Sequence, residues 1–457
     1  METLFISISR GGITRNFFQT GIIQELLAKG LRLVIFTPAY AQPEFVSEFA
    51  AENLWFEPLY DPPRNKTNQF FNSLMGLLIY NATTDMIANF GVFDASETSP
   101  FKLYMYRAIF KPLSKLPFLR SLARLVDRAV CREKKYGPVF EKYKPSAVFV
   151  TNVVEDPDCY LLKAAQARGI PMLGMAKSWD NLAKKSLRVK PDQLLIWSKY
   201  QYDEAVKFDD YRADQLVITG IPQFDIYRHH HGVPERADFF ASLGLDPAKR
   251  LVTFTSEAKL SQADPDYVDM LWRAIQDGRI PNAQLLVRPH FGFRNDLERF
   301  LQFKDRPNLA LDQDYKAGEF FYDQTDYSFR HWSRLAATLL YADVVVTTFS
   351  TITLDATAAG KPVINVAFDG YAGLKPKKES MVRYFDFEHY RPVCETGAPL
   401  MAGSEEELIS AVNRCLADKD INSEGRQRLL QGFIEPLDGK SVERTAQAVV
   451  AFVRKNG

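Results

Sequence analysis

The apolar positions of this chain fall in short blocks separated by amphipathic stretches. TLFISI at residues 3–8 is a continuous apolar run that stops at the loop Ser9-Arg10-Gly11-Gly12. Behind it Phe17, Phe18, Ile22, Ile23, Leu26 and Leu27 recur at helical spacing as far as Gly30, and LRLVIFTP starts a second apolar run. Runs of that length without alternation predict strands covered on both faces. Strand, glycine loop, helix and strand in succession make a βαβ unit, which demands a parallel sheet clothed by helices. The pattern returns at SAVFVT (146–151), IPMLGMA (170–176), QLLIWS (193–198) and QLVITG (215–220). After HHHGVPERAD (229–238) it starts again with RLVTFTS (250–256), a helix over 265–278, AQLLVRPH (283–290), ADVVVTTFS (342–350), the helix TITLDATAAG and KPVINVAF (361–368). Helical stretches at 404–417 and near 440–455 close the chain.

The pattern predicts an α/β protein of two Rossmann-like domains facing across a cleft. The expected bounds are 1–228 for the first domain, 229–238 for a linker and 239–457 for the second. Ligands of open parallel sheets bind beyond the carboxyl ends of the strands, so both sheets should point theirs into the cleft. Residues 60–140 fit least well and read as a helical insertion. From Lys102 to Lys135 there are ten Lys and Arg against Asp127 and Glu133, interleaved with Phe110, Leu113, Leu116, Phe118, Leu119, Leu122 and Leu125. One reading packs those apolar residues on the core beneath a solvated basic face. The other turns the segment toward anionic lipid or an anionic acceptor.

Charge and composition narrow the function. Lys+Arg number 57 and Asp+Glu 56, a net charge of +1, so no whole-chain electrostatic case exists for a nucleic-acid partner. Four scattered cysteines without a CxxC pair indicate neither a zinc site nor a disulfide framework, and suit a reducing compartment. The first residues, METLFISISRGG, lack the basic and long apolar regions of a secretory signal, and no run reaches 18 apolar residues. A cytoplasmic protein is expected, with membrane association at the inner face if the basic segment meets lipid.

Candidate chemistry clusters at strand ends. In 342–368 a buried strand runs into Thr347, Thr348, Phe349, Ser350 and Thr351, where a helix begins; its N-terminal N–H groups and dipole suit a phosphate, although Ser350 or Thr351 also serves as a helix cap. Asp355 follows on that helix. Arg288 and His290 flank Pro289 at the end of another strand: Arg can grip phosphate oxygens and His can donate to one while neutral. Thr255, Ser256 and Glu257 end the first strand of the second half and face the same cleft. In the first half, Arg10, Gly11 and Gly12 form a loop that is not GxGxxG, so the dinucleotide fingerprint is absent. It serves either as a tight turn or as a backbone approach to a substrate phosphate or sugar. Glu155, Asp156 and Asp180 end first-half strands and are candidate general bases for an acceptor hydroxyl, with helix capping as the alternative. The three consecutive histidines 229–231 cannot converge on one ion and read as linker. No metal and no cofactor are expected.

Together these residues resemble GT-B glycosyltransferases. RPH followed about 60 residues later by FSTITLD is similar to the His-Pro and Ser-Ser/Thr motifs of bacterial sialyltransferases, Kdo transferases and CDP-glycerol glycerophosphotransferases, here in the order Pro289-His290. KSWDNLAKK and VITGIPQFD look like segments of bacterial surface-carbohydrate proteins of that superfamily. The resemblance implies a metal-independent transfer from a nucleotide-sugar donor, CMP- or CDP-linked, to a glycan or lipid-linked acceptor. Ser256, Glu257, Arg288, His290, Thr348, Ser350, Thr351 and Asp355 would bind the donor, and the last helix would cross back onto the first half. A CDP-glycerol-type polyol-phosphate transferase, a nucleotide-sugar 2-epimerase and a non-catalytic glycan-assembly subunit are the alternatives.

Overall fold

The computed structural model describes residues 1–456 except 93–96, 291, 294, 317–320, 322 and 324. Its first half is built on β1 (Thr3–Ser7), β2 (Arg32–Thr37), β3 (Leu54–Pro58), β4 (Ala147–Val150), β5 (Met172–Met175), β6 (Gln193–Ile196) and β7 (Leu216–Ile218), and its second on β8 (Arg250–Thr255), β9 (Ala283–Arg288), β10 (Leu309–Leu311), β11 (Val344–Thr347), β12 (Val363–Val366) and β13 (Pro399–Ala402). Among the described residues the first seven strands pair in the order β3-β2-β1-β4-β5-β6-β7 and the other six as β10-β9-β8-β11-β12-β13, every pairing parallel. The central strands β1, β4, β9 and β11 are buried along their whole length, the consequence of helices on both faces. These are the two parallel sheets of the expected α/β fold. Three short strands, β3, β10 and β13, were not visible in the apolar pattern, and each forms a sheet edge.

In the first half, α1 (Ile22–Ala28) follows β1. The insertion between β3 and β4 carries α2 (Pro100–Leu113) and α3 (Pro117–Val130), and α4 (Asp156–Arg168) follows β4. In the second half α5 (Phe329–Tyr341) precedes β11 and α6 (Ile352–Ala358) follows it. The last helix, α7 (Ser441–Asn456), lies against α1, and Arg454 donates to the Lys29 carbonyl at 3.2 Å.

The insertion packs inside out. In α3 three charged residues, Arg120, Arg124 and Asp127, face inward while Arg128 is exposed: Asp127, 1% exposed, accepts from Lys163 at 2.8 Å and from Arg188 at 2.7 and 3.0 Å. Arg120 is paired with Asp210, and Arg124 donates to the Leu187 carbonyl at 2.9 Å. Several large apolar residues of the same helix face out, with Phe118 61%, Leu122 51% and Leu125 64% exposed, while Leu119 and Ala123 pack against Met75 and Leu78. This corrects the reading in which Phe118, Leu122 and Leu125 pack on the core.

Candidate functional site

Adjacency in the second sheet brings three distant stretches together. β9, β8 and β11 are neighbours, and the β8–β9 register sets Thr255 beside Arg288. The residues after these strands therefore share one wall: Thr255, Ser256 and Glu257; Arg288, Pro289 and His290; Ser350, Thr351, Ile352 and Asp355. Gly12, Arg15 and Asn16 after β1, Lys177 and Ser178 after β5, Trp197 after β6 and Gln223 with Phe224 after β7 form the facing wall. Between them lies a cleft of about 340 Å³. A larger cavity, about 520 Å³, opens at Asp225, His229 and Trp332, but none of the expected site residues line it.

His290 has a defined tautomer. Its Nδ1 accepts the Gly292 N–H at 3.2 Å, so in the neutral ring Nε2 carries the proton and is a donor. Burial lowers its pKa, and the nearby Lys177 and Arg288 charges push in the same direction against Asp296. The ring is therefore neutral at pH 7. Glu257 is pushed the other way: burial raises its carboxyl to about 8, with Asp264, Asp296 and Asp180 adding repulsion against a hydrogen bond from Ser350. Asp355 accepts from the Tyr227 hydroxyl at 2.8 Å, and burial raises it to about 6 although Tyr227 and Arg15 oppose the shift.

Other expected donor ligands are engaged in ways the strand pattern did not show. Arg288 is ion-paired with Asp312 and lies 3.3 Å from His331 Nε2, so one arm of its guanidinium is committed behind the cleft wall. Ser256 Oγ donates to Asp264 at 2.7 Å. Thr348 is fully buried and its carbonyl accepts from Tyr390 at 3.4 Å, so it supports the floor rather than lining the cleft. The open helix N-terminus is also corrected. α6 has only seven residues; the Ser350 N–H goes to Tyr390 Oη (3.1 Å) and that of Ile352 to Ser350 Oγ (3.2 Å). What this corner offers a ligand is hydroxyls and the neighbouring His290 and Glu257, more than bare amides.

The first-half candidates divide. Gly12 lines the cleft, and Gly11 and Gly12 donate their N–H groups to Asp323 at 3.0 and 3.4 Å. A Cβ on Gly11 would collide with the Thr325 carbonyl, which is why only glycine permits this approach. Arg10 pairs with Glu155 at 2.6 Å. Asp156, at the start of α4, accepts from Asn72 at 3.3 Å and lies 3.8 Å from Lys185, away from the cleft. Asp180 is nearer: it adjoins the loop of Ser178, and its charge is felt at Glu257 and Lys177. Burial would raise its carboxyl, but Lys184 and His389 outweigh that and hold it below the ordinary carboxylate range. Cleft residues overlooked in the sequence include Lys177 and His331, and Tyr227 behind them, which donates to Asp355. Lys177 directly follows a predicted strand, so position alone marks it; the other two sit in helices with no local signal.

Among the described residues no three His, Cys, Asp or Glu side chains cluster as a metal site requires. None of the described helices is long and apolar enough to cross a membrane.

Comparison with known proteins bears on the fold and the family. The chain is similar to the UDP co-structure of MnaA from S. aureus (TM-score 0.56, 11% identity, 99% of this chain and 97% of that one). It is also similar to UDP-GlcNAc 2-epimerase from Neisseria meningitidis bound to UDP-GlcNAc (0.53, 11%, 99% and 100%), and to a CDPG soak of the wall teichoic acid polymerase TagF (0.50, 10%, 99% and 89%). At such identities these likenesses show the GT-B type of fold. The teichoic acid poly(ribitol-phosphate) polymerase of Bacillus spizizenii is 28% identical over 247 residues, 52% of this chain and 34% of that protein, so the chain spans about a third of that relative's length. Residues 184–451, more than half of the 457, match the family described as CDP-Glycerol:Poly(glycerophosphate) glycerophosphotransferase and carry the whole second-half wall of the cleft. By that match the chain belongs to the CDP-glycerol:poly(glycerophosphate) glycerophosphotransferase family.

Proposed function

We propose that this chain transfers a polyol phosphate from a cytidine-nucleotide donor to a hydroxyl of a surface glycan or lipid-linked acceptor. The observation that carries the reading is that His290, with Nε2–H free to donate, and Glu257, whose carboxyl burial raises to about 8, stand on one wall of the cleft within the segment that matches the family. Both give a hydrogen bond to an oxyanion without adding a mobile charge, which suits oxygens that gain charge as the nucleotide departs. Arg288 adds a fixed positive field behind them, and Ser350 and Thr351 supply hydroxyls. Asp180 is ionised and next to the cleft loop of Ser178, but against burial Lys184 holds it below the ordinary carboxylate range. It is a weak base that takes the acceptor proton late, once bonding to phosphorus has made that proton acidic. The side-chain cations of the cleft support a transfer that needs no metal; unchanged turnover in EDTA is the expected result.

The outward apolar face of α3, flanked by exposed Lys115, Arg128 and Arg132, supports contact with an anionic membrane, where the acceptor would be presented. The chain would then work at the inner face of the membrane.

The test is a thermal-shift and calorimetric panel of CMP, CDP, UDP, GDP and ADP, followed by product analysis with CDP-glycerol and with CMP- and UDP-sugars. Selective binding of cytidine nucleotides and loss of turnover in His290→Ala, with the fold preserved, are expected. UDP or GDP selectivity with sugar transfer would replace polyol-phosphate transfer by glycosyl transfer. Product without acceptor would point to an epimerase, and no nucleotide binding to a silent assembly subunit.

A further inference from the structure

Among the described residues the cations that line the cleft are held to different degrees. Arg288 is ion-paired with Asp312, and Arg15 donates to Asn16 Oδ1 at 3.0 Å and feels the field of Asp355. Lys177 has no such partner. Among the described residues no hydrogen bond or ion pair holds its ammonium. The acidic groups whose fields reach it are each engaged elsewhere: Asp323 with the Gly11 and Gly12 amides, Glu155 with Arg10, Asp180 with Lys184. Lys177 leaves the carboxyl end of β5 on the first-half wall, and its charge is felt at His290 on the other wall and at Asp180 on its own side. A half-buried cation without a counter-ion costs free energy unless a ligand completes it.

That position separates two chemistries. In transfer of a neutral sugar the group that crosses the cleft is uncharged, and in transfer of a sugar acid its charge is a carboxylate away from the reacting bond. In both, phosphate charge stays with the nucleotide on the second-half wall. In polyol-phosphate transfer the group in transit is itself an anion and must be held from both sides. We propose that Lys177 contacts the non-bridging oxygens of the phosphoryl group in transit, as the first half's counterpart to His290. This rests on the transferase reading above. In the step, the acceptor oxygen forms a bond to the β-phosphorus of the donor, the bond from that phosphorus to the bridging oxygen breaks, and its electron pair leaves on CMP. The acceptor proton passes to Asp180. Negative charge on the equatorial oxygens grows nearest Lys177, so its contribution is made in the transition state more than in binding the nucleotide.

Lys177→Met should lower kcat for CMP release from CDP-glycerol by about 10²–10³ while CMP affinity stays within about twofold, because CMP lacks the transferred phosphoryl. Lys177→Arg, which keeps the charge in another geometry, should recover part of the loss. Turnover of Lys177→Met within about threefold of the parent overturns the assignment and leaves the transferase reading standing. A second readout is independent of turnover. In chain carrying ¹³C-methylated lysines, the Lys177 resonance, identified by its loss in Lys177→Arg, should shift with inorganic pyrophosphate, and its titration should move upward as an anion stabilises the ammonium. A Lys177 resonance that pyrophosphate leaves unmoved overturns the proposal. A parent chain that releases no CMP from CDP-glycerol with any acceptor overturns the transferase reading instead, and the pyrophosphate response then decides the Lys177 anion site by itself.

Discussion

At the carboxyl edge of the second sheet, Arg288 and Asp312 are buried beneath a polar cleft, and apolar strands surround them. In α3 of the insertion, Asp127 with Lys163 and Arg188 is buried just as deeply, but the apolar side chains of that helix look outward. Both regions spend buried ion pairs on holding a shape. At the sheet edge the pairs sit behind groups that face a small ligand. In the insertion they anchor a helix whose other face, apolar and flanked by cations, is exposed. Buried charge thus lies behind a polar cleft in one place and behind an exposed apolar face in the other, and the side left open to solvent is what differs.

The largest expected effects should be equal in the two regions. Asp127→Ala strands two buried cations, and Arg288→Ala leaves Asp312 with Arg334 at 2.8 Å as a second cationic partner and the Asp314 N–H at 3.3 Å. Each should lower unfolding free energy by about 3–5 kcal/mol in urea titrations, with Arg288→Ala toward the lower end because of that second partner. A loss of under about 1 kcal/mol in Asp127→Ala would mean that α3 is not anchored by this cluster, and the inside-out packing would lose its explanation.

Next in size is a pH effect confined to the sheet edge. Glu257 is protonated below about 8 in the folded chain, so its hydrogen-bond donation is present at pH 7 and is lost as pH rises through that value. Turnover should fall about tenfold per unit above it, and Glu257→Gln should flatten that limb. The stability term has the opposite use. The folded-state pKa lies above the ordinary 4.5, so the folded chain holds the proton more tightly, and stability attributable to Glu257 declines as pH rises between the two values. Glu257→Gln should therefore gain relative stability over that window. A parallel pH response in both chains would remove Glu257 as the source.

Much of this arrangement was legible in the sequence, and the illegible parts share a cause. Central strands such as VVVT and TLFIS are covered on both faces and so are written as unbroken apolar runs. β3, β10 and β13 lie at edges, where only part of the strand is buried: LWFEP carries Glu57 and Pro58, and β10 has three residues. No period survives in so short and mixed a stretch. Ser256, Glu257, Arg288, His290, Ser350, Thr351 and Asp355 were visible because strand ends converge by topology alone. The commitment of Arg288 to Asp312, and of the Ser350 amide to Tyr390, depends on partners 24 and 40 residues away. In α3 the helical period is plain, but the inward face is chosen by Lys163, Arg188, Asp209 and Asp210, which no local pattern connects to it.

The smallest stability effect is the most diagnostic. Leu122→Ser and Leu125→Ser in an ordinary amphipathic helix would empty core volume and cost several kcal/mol. Here both side chains already give half or more of their surface to water, so the double variant should unfold within about 0.5 kcal/mol of the parent. Binding should respond instead. The parent chain should sediment with anionic vesicles at low salt and be released at high salt, because apolar insertion and cationic attraction act together and only the second is screened. The double variant should stay in the supernatant at either salt concentration while turning over a soluble acceptor normally. Equal recovery of the parent with neutral vesicles, or with none, would detach the insertion from lipid. A large stability loss in the double variant would return those leucines to the core and erase the contrast with the sheet edge.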